Sequence, residues 1–526
     1  MSLSALGNEP GTVETIKRTI SYVADPLMAY KQICGTNSVL LESAEIDSKD
    51  DVNSLVLIDA ALRIECQQQT VVITALTDNG KSILPLLRQK LGNFISSSTE
   101  KTIVVEYSSP KTDTDEDTRL KQPGVLDVLR CVKDNINPIR DDQHAVFLAG
   151  IFGYDLIATF EQLPEVPLGL NKCPDYVFYL AETLLLIDHH EKTSELLGGV
   201  FSGDQVAQNY FALNQRLEQL NQQILSTEVT PFEPVKSPES ELLVDKSDQA
   251  YCEDVAQLQE HILDGDIFQV VPSRTFRLQC PQPLLAYKRL KQTNPSPYMF
   301  YITDQDFTIF GASPESALKY DTTNNQVEIY PIAGTRPRGK REDGSIDLDL
   351  DSRLELNLRL DEKEKSEHIM LVDLARNDIA KVSTPGSRHV KDLLKVDRYS
   401  HVMHLVSRVV GQLRPDLDAL HAYQACMNMG TLVGAPKISA ATLIRETEKC
   451  TRGSYGGAVG YLNGKGDFDT CIVIRSAFIQ NDTAYIQAGA GVVKDSIPQS
   501  EADETRTKAQ AVINAIQTAN QAIEGK

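Results

Sequence analysis

A polar run rich in Pro, Glu and Ser occupies 226–248, includes Thr-Pro-Phe-Glu-Pro-Val-Lys-Ser-Pro-Glu-Ser, and interrupts the chain near its middle. A stretch of this composition behaves as a connector and not as a core-forming element. The 526 residues also exceed the length at which one hydrophobic core usually stops growing. The chain is therefore read as a region 1–225, a linker 226–248 and a region 249–526.

The first region carries short β-type runs (Ser38-Val-Leu-Leu-Glu, Ser54-Leu-Val-Leu-Ile, Thr70-Val-Val-Ile-Thr-Ala-Leu) between polar turns, then a helical pattern at 212–220. The second region mixes β-type runs (Ile267-Phe-Gln-Val-Val, Phe307-Thr-Ile-Phe, Gln326-Val-Glu-Ile-Tyr, Cys471-Ile-Val-Ile-Arg) with helical periodicity at 364–375 and 501–517. This layout predicts an α+β fold.

The most apolar run, Ala145-Val-Phe-Leu-Ala-Gly-Ile-Phe-Gly, ends at Tyr154 and Asp155, far short of the ~20 residues a membrane helix needs. It is expected in the core. The first residues lack a basic stretch leading into an apolar one, so a cytoplasmic chain is expected. Nine cysteines, odd in number and scattered, fit reduced thiols better than a disulfide scaffold or a zinc site. A net charge of −21 disfavours nucleic acid and anionic membranes as partners. An anionic substrate would then need a locally basic pocket or a metal.

Two Glu-x-x-Glu pairs, Glu364 with Glu367 and Glu501 with Glu504, fall in helical segments. Spacing of i,i+3 puts each pair on one helix face. Hard oxygen donors with no convergent His/Cys set suit Mg²⁺, although most isolated pairs of this kind are solvated surface glutamates. Glycine-rich segments at 331–339, 453–460 and 487–493 allow backbone N–H groups to approach a carboxylate closely. Ordinary tight turns would read the same way, and none of the three fits a phosphate loop or a dinucleotide fingerprint.

Seven segments in order carry a family resemblance: Gly265-Asp-Ile-Phe-Gln-Val-Val-Pro-Ser-Arg, Ala312-Ser-Pro-Glu-Ser, Pro331-Ile-Ala-Gly-Thr-Arg-Pro-Arg-Gly, Ser366-Glu-His-Ile-Met-Leu-Val-Asp-Leu-Ala-Arg-Asn-Asp, Gly434-Ala-Pro-Lys, Tyr455-Gly-Gly-Ala-Val-Gly-Tyr and Gln487-Ala-Gly-Ala-Gly-Val-Val. Together they resemble the chorismate-utilising enzymes, most closely the branch that forms anthranilate. Leu40-Leu-Glu-Ser and Asn294-Pro-Ser-Pro-Tyr-Met-Phe extend the likeness to segments that bind tryptophan in that branch.

The resemblance implies a large antiparallel β-sandwich flanked by helices, with the active-site cleft built from the C-terminal half. It implies Mg²⁺ on Glu367 and Glu504, with Glu364 and Glu501 in support. Glu315 and His404 stand as joint candidates for the proton donor, and Thr431 and Gln269 complete the catalytic set. Arg475, Tyr455, Gly489, Ala490, Gly491 and Lys508 match the enolpyruvyl side of the substrate pocket, and Gly334 and Thr335 the other carboxylate. Ser43, Pro297, Tyr298 and Met299 match the tryptophan effector site, to which the strand-rich region 1–225 contributes, while catalysis falls to 249–526.

Sister enzymes that use water carry a lysine where this chain has Gln269, and a neutral amide cannot serve as that base. The lysine that some aminodeoxychorismate-forming relatives use for covalent attack is Ala333 here. Val433 stands where the family usually has a small hydroxyl residue, which removes any hydrogen bond from that side chain. No cysteine lies in a Gly-x-Cys-x-Gly setting, so ammonia is expected from a separate glutamine amidotransferase subunit, in a hetero-tetramer of two large and two small chains. The alternatives are an aminodeoxychorismate-forming component and a non-catalytic tryptophan-sensing subunit.

Overall fold

A computed structural model describes residues 6, 10–43, 53–109, 114–226, 232, 241–341, 343–399 and 402–521. Most of the expected linker 226–248 lies outside them. The spine is the antiparallel pair Asn53–Gln67 and Tyr176–Asp188, whose register shifts between Leu57 and Leu62. Among the described residues these strands belong to one continuous sheet, which folds at those shifts into two layers, a first and a second sheet, as bulged strands allow.

In the first sheet the early part of Asn53–Gln67 is followed outward by Ser38–Glu42, Tyr298–Thr303, Thr308–Ser313, Ser476–Gln480, Thr483–Gly489 and Ser273–Gln279. In the second, the early part of Tyr176–Asp188 is followed by Phe147–Phe152, Ala458–Asn463, Phe468–Ile472, Ser316–Asp321, Gln326–Ile329 and Val402–Gln412. Ile332–Pro337 and His389–Arg398 pair with Val402–Gln412. Each sheet thus contains strands from both sides of the 226–248 segment.

Alternation along the strands makes the layers. Val39, Phe300, Ile302 and Ile309 of the first sheet share a core with Phe147, Ala149, Ile151 and Val459 of the second. Their neighbours Leu40, Tyr301 and Phe310 point the other way, into a core with helices Pro26–Ile33, Pro283–Thr293 and Pro498–Gln521. Leu148, Phe152 and Leu462 point outward from the second sheet, onto helices Leu84–Leu91, Asp127–Asn135 and Ala419–Cys426. Period-two burial on both faces therefore yields an α+β sandwich, two sheets face to face with helices outside. The run expected as core, Phe147–Phe152, is buried throughout.

All nine cysteines are free thiols. Among the described residues no helix is long and apolar enough to cross a membrane.

Candidate active site

The strand Thr308–Ser313 turns at Pro314 into Ser316–Asp321, and the turn leaves Glu315 between two strands, its carbonyl accepting the Ile472 N–H at 3.0 Å. Its side chain is buried, and burial pushes the carboxyl up to about 8. The Thr431 hydroxyl, itself buried and without another partner, faces that carboxyl and with Lys508 and Arg475 offsets part of the rise. Glu315 thus keeps its proton at neutral pH.

Arg475 was expected at the end of a strand begun by Cys471. The strand instead ends at Ile472 and a new one starts at Ser476, so Arg475 lies at the break with φ +50°. Its carbonyl accepts the Ala312 N–H at 3.1 Å. Desolvation lowers the guanidinium pKa, countered by Tyr455, Glu504 and Glu315 nearby. Arginine remains charged even so.

The helix Pro498–Gln521 brings Glu504 and Lys508 to the same place, paired at 2.6 Å, with Lys508 Nζ donating to the Gly489 carbonyl at 3.0 Å. A Cβ at Gly489 would sit 2.6 Å from the Pro272 carbonyl and 3.0 Å from the Tyr455 hydroxyl, so only glycine allows this approach. Burial pushes the Tyr455 phenol up to about 12. Gly491 is packed as closely against the Gln269 amide, whose buried Oε1 has no protein partner. Ala490 between the two glycines is buried and donates its N–H to the Pro272 carbonyl at 3.3 Å.

Opposite this group, a register shift between Ala333 and Thr335 sets Gly334 at φ +81° and aligns Thr335 with His404. Burial and the Arg475 charge lower His404 to about 4, a fall that a backbone bond at Gly334 partly opposes. His404 is therefore neutral at pH 7. The helix Glu362–Val382 places Glu364 beside Gly334, where its Oε1 accepts from Arg336 at 2.9 Å.

The structure thus gathers Glu315, Thr431, Arg475, Tyr455, Gly489, Lys508 and Glu504 on one side, and His404, Thr335, Gly334 and Glu364 on the other, with Arg475 acting on both Glu504 and His404. The acidic pairs are less tightly gathered: Glu501 is buried, Glu367 is half-buried, and among the described residues no group of three or more His, Cys, Asp or Glu side chains is poised to hold a metal. Glu364 and Glu504 instead have Arg336 and Lys508 against them. Both are hard oxygen donors whose charge is met by a cation in the structure.

The expected effector segments also meet. Ser38–Glu42 pairs with Tyr298–Thr303 so that Met299 faces Glu42, which places Ser43 next to the Pro297–Tyr298 turn. Buried Glu42 accepts from the Tyr287 hydroxyl at 2.6 Å and pairs with Lys291.

Sequence reasoning passed over the buried Arg452, which donates to the Leu432 carbonyl at 2.9 Å, the Val271 carbonyl at 2.6 Å and the Glu448 carboxylate. It ties the 265–274 segment to the stretches just before Gly434 and Tyr455. A lone arginine beside a glycine run carries no sequence signal for such a role.

Residues 91–514 match the chorismate binding enzyme family. The chain is 56% identical over 520 residues to anthranilate synthase component 1 of Vibrio parahaemolyticus, covering 97% of this chain and 94% of that one. To the protein of the same name from Escherichia coli it is 54% identical over 517 residues, with 98% of each chain covered. The crystal structure of anthranilate synthase component I from Streptococcus pneumoniae superposes with a TM-score of 0.65 at 29% identity, over 93% of this chain and 97% of that one. The family match and identity along nearly the whole length agree: the chain belongs to the chorismate-binding enzyme family, among the anthranilate synthase component 1 proteins.

Proposed function

We infer that the chain converts chorismate and ammonia to anthranilate and pyruvate. One observation carries the reading: in a protein of net charge −21, a buried carboxyl that holds its proton to about 8 stands within electrostatic reach of Arg475 and Lys508. Chorismate presents two carboxylates and a ring hydroxyl that must leave. Fixed cations suit the first and a protonated acid suits the second.

Arg475 would grip the enolpyruvyl carboxylate by its guanidinium fork, with the Tyr455 hydroxyl and the backbone of 489–491 closing that end. Gly334 and Thr335 would meet the ring carboxylate. Glu315 is the better proton donor of the two candidates, because His404 has lost its proton by about pH 4. Thr431 orients the Glu315 carboxyl. His404, neutral and held by Thr335, serves as a hydrogen-bonding group near the departing hydroxyl. The Gln269 amide offers an unpaired acceptor but no base, which favours ammonia over water as nucleophile.

Glu367 and Glu504, supported by Glu364 and Glu501, would hold Mg²⁺, which when bound supplies a Lewis-acidic clamp for the ring carboxylate. Ammonia would come from a glutamine amidotransferase subunit in a hetero-tetramer. Tryptophan would bind between Ser43 and the 297–299 turn, across a strand pair that joins the two regions of the chain.

The test is direct. Purified chain, chorismate, Mg²⁺ and an ammonium salt should give anthranilate fluorescence. A product that retains its pyruvyl ether, or none at all, overturns the reading.

A further inference from the structure

The end of one matched segment, Ala375-Arg-Asn-Asp, and another segment, Gly434-Ala-Pro-Lys, have no part in the chemistry above. The fold joins them: Lys437 Nζ lies 2.8 Å from Asp378 Oδ2 and 2.7 Å from the Cys426 carbonyl, and both charged side chains are almost fully buried. A buried ion pair away from the substrate is costly to maintain and adds little stability that apolar packing would not.

Its position is informative. Asp378 and Glu315 line the same small pocket, with Thr431, Ala375 and Met429, and its volume of about 20 Å³ admits one water. The Thr431 hydroxyl that faces Glu315 lines the same space. On the far side, Lys437 and Lys381 line a cavity of about 570 Å³ together with Arg414, Glu116 and Glu161. Lys381 also stands 4.0 Å from Asp378 Oδ1. Asp378 therefore lies between the pocket of the buried acid and a larger cavity.

We propose that Asp378, paired with Lys437, relays protons through one water to Glu315. The inference rests on the function proposed above. Glu315 gives its proton to the leaving hydroxyl as the C–O bond breaks, the electron pair stays on oxygen and water departs. The Glu315 carboxylate then takes a proton from the pocket water, and that water takes one from the Asp378–Lys437 pair. The new ammonium group and the ring carbon release two protons: one refills the pair by way of the outer cavity, and the other goes to the enolpyruvyl methylene carbon as its ether bond to the ring breaks and pyruvate leaves. Chorismate and ammonia become anthranilate, pyruvate and water with no net proton.

Other charges bear on both ends. Lys437, Lys381, Glu116 and Cys426 face Asp378, where burial raises the carboxyl pKa and the lysines lower it. Arg475, Lys508 and Tyr399 face Glu315.

The experiment uses full-length chain with chorismate, Mg²⁺ and ammonium, in mixtures of H₂O and D₂O. In Asp378→Asn, kcat should fall about tenfold or more, within the range of acid–base steps, while the chorismate KM changes little. A bowed proton inventory in the wild type should become linear, and formate should restore part of the rate to Asp378→Ala. Ala375→Val fills the pocket without touching a charge and should produce the same loss and the same linear inventory. Wild-type kcat in a folded Asp378→Asn, or in Ala375→Val, overturns the relay. Absence of anthranilate from the wild type overturns the proposed function instead, so the two failures are distinct.

Discussion

Thr335 Oγ1 lies 2.9 Å from Nδ1 of His404, a contact fixed by strand register, since the two residues are paired across Ile332–Pro337 and Val402–Gln412. Because His404 titrates near 4, it carries no charge between about pH 5 and 7, where an ordinary histidine near 6.5 would change state. At a fixed concentration of free ammonia, His404 should contribute no limb to the pH–rate profile there. His404→Gln should lower kcat about tenfold and leave the profile's shape alone; a limb near pH 6.5 that vanishes in the variant contradicts the assignment.

With Glu315 as the proposed proton donor, its loss of a proton should set the alkaline limb. Activity should decline as pH rises through about 8, and Glu315→Gln should lose about 100-fold or more in kcat. Stability moves the opposite way. The folded state holds the Glu315 proton to about 8 and the unfolded chain releases it near the ordinary glutamate value, so wild-type stability falls across that interval. Glu315→Gln should therefore raise the Tm relative to wild type at pH 8 and barely at pH 5.

The cation partners of Glu364 and Glu504 predict a metal response. Chelation should abolish anthranilate formation and added Mg²⁺ should restore it. Glu504→Gln and Glu367→Gln should each raise the Mg²⁺ needed for half-maximal rate by about tenfold or more. An unchanged requirement in both would remove them as ligands.

Feedback control is tested at Ser43. Its neighbour Glu42 is anchored by Tyr287 and Lys291, so the strand should tolerate a bulky side chain one residue on. Ser43→Phe should abolish tryptophan binding by calorimetry while the uninhibited rate stays close to wild type. Normal inhibition of this variant sinks the effector assignment.

Arg452→Met should destabilise the fold by about 3–5 kcal/mol in urea melts, since it leaves the Glu448 carboxylate buried without its partner. The carbonyls of Leu432 and Val271 would lose their donor as well. A change below about 1 kcal/mol would mean that water reaches these groups.

Strand character in Ser38–Glu42, Thr70–Ala75 and Gln326–Ile329 was legible because side-chain alternation is local. The helices around Glu364 and Glu501 were legible for the same reason. Arg475 was placed at a strand end by its apolar neighbours, but a non-glycine residue at positive φ depends on tertiary contacts that its own segment does not encode. The Asp378–Lys437 pair joins residues 59 apart, and nothing local in either segment announces the other. Charges that meet through folding are invisible to periodicity.

Because Asn53–Gln67 and Tyr176–Asp188 run through both sheets, neither half of the polypeptide closes a sandwich by itself. Fragments 1–226 and 241–526, produced separately, should each be insoluble or molten, yet recover catalysis when refolded together. The two halves are then inherited as one unit: a shuffled N-terminal half supplies strands to both sheets, so chimeras must preserve the strand pairings at Leu40 and Ile151.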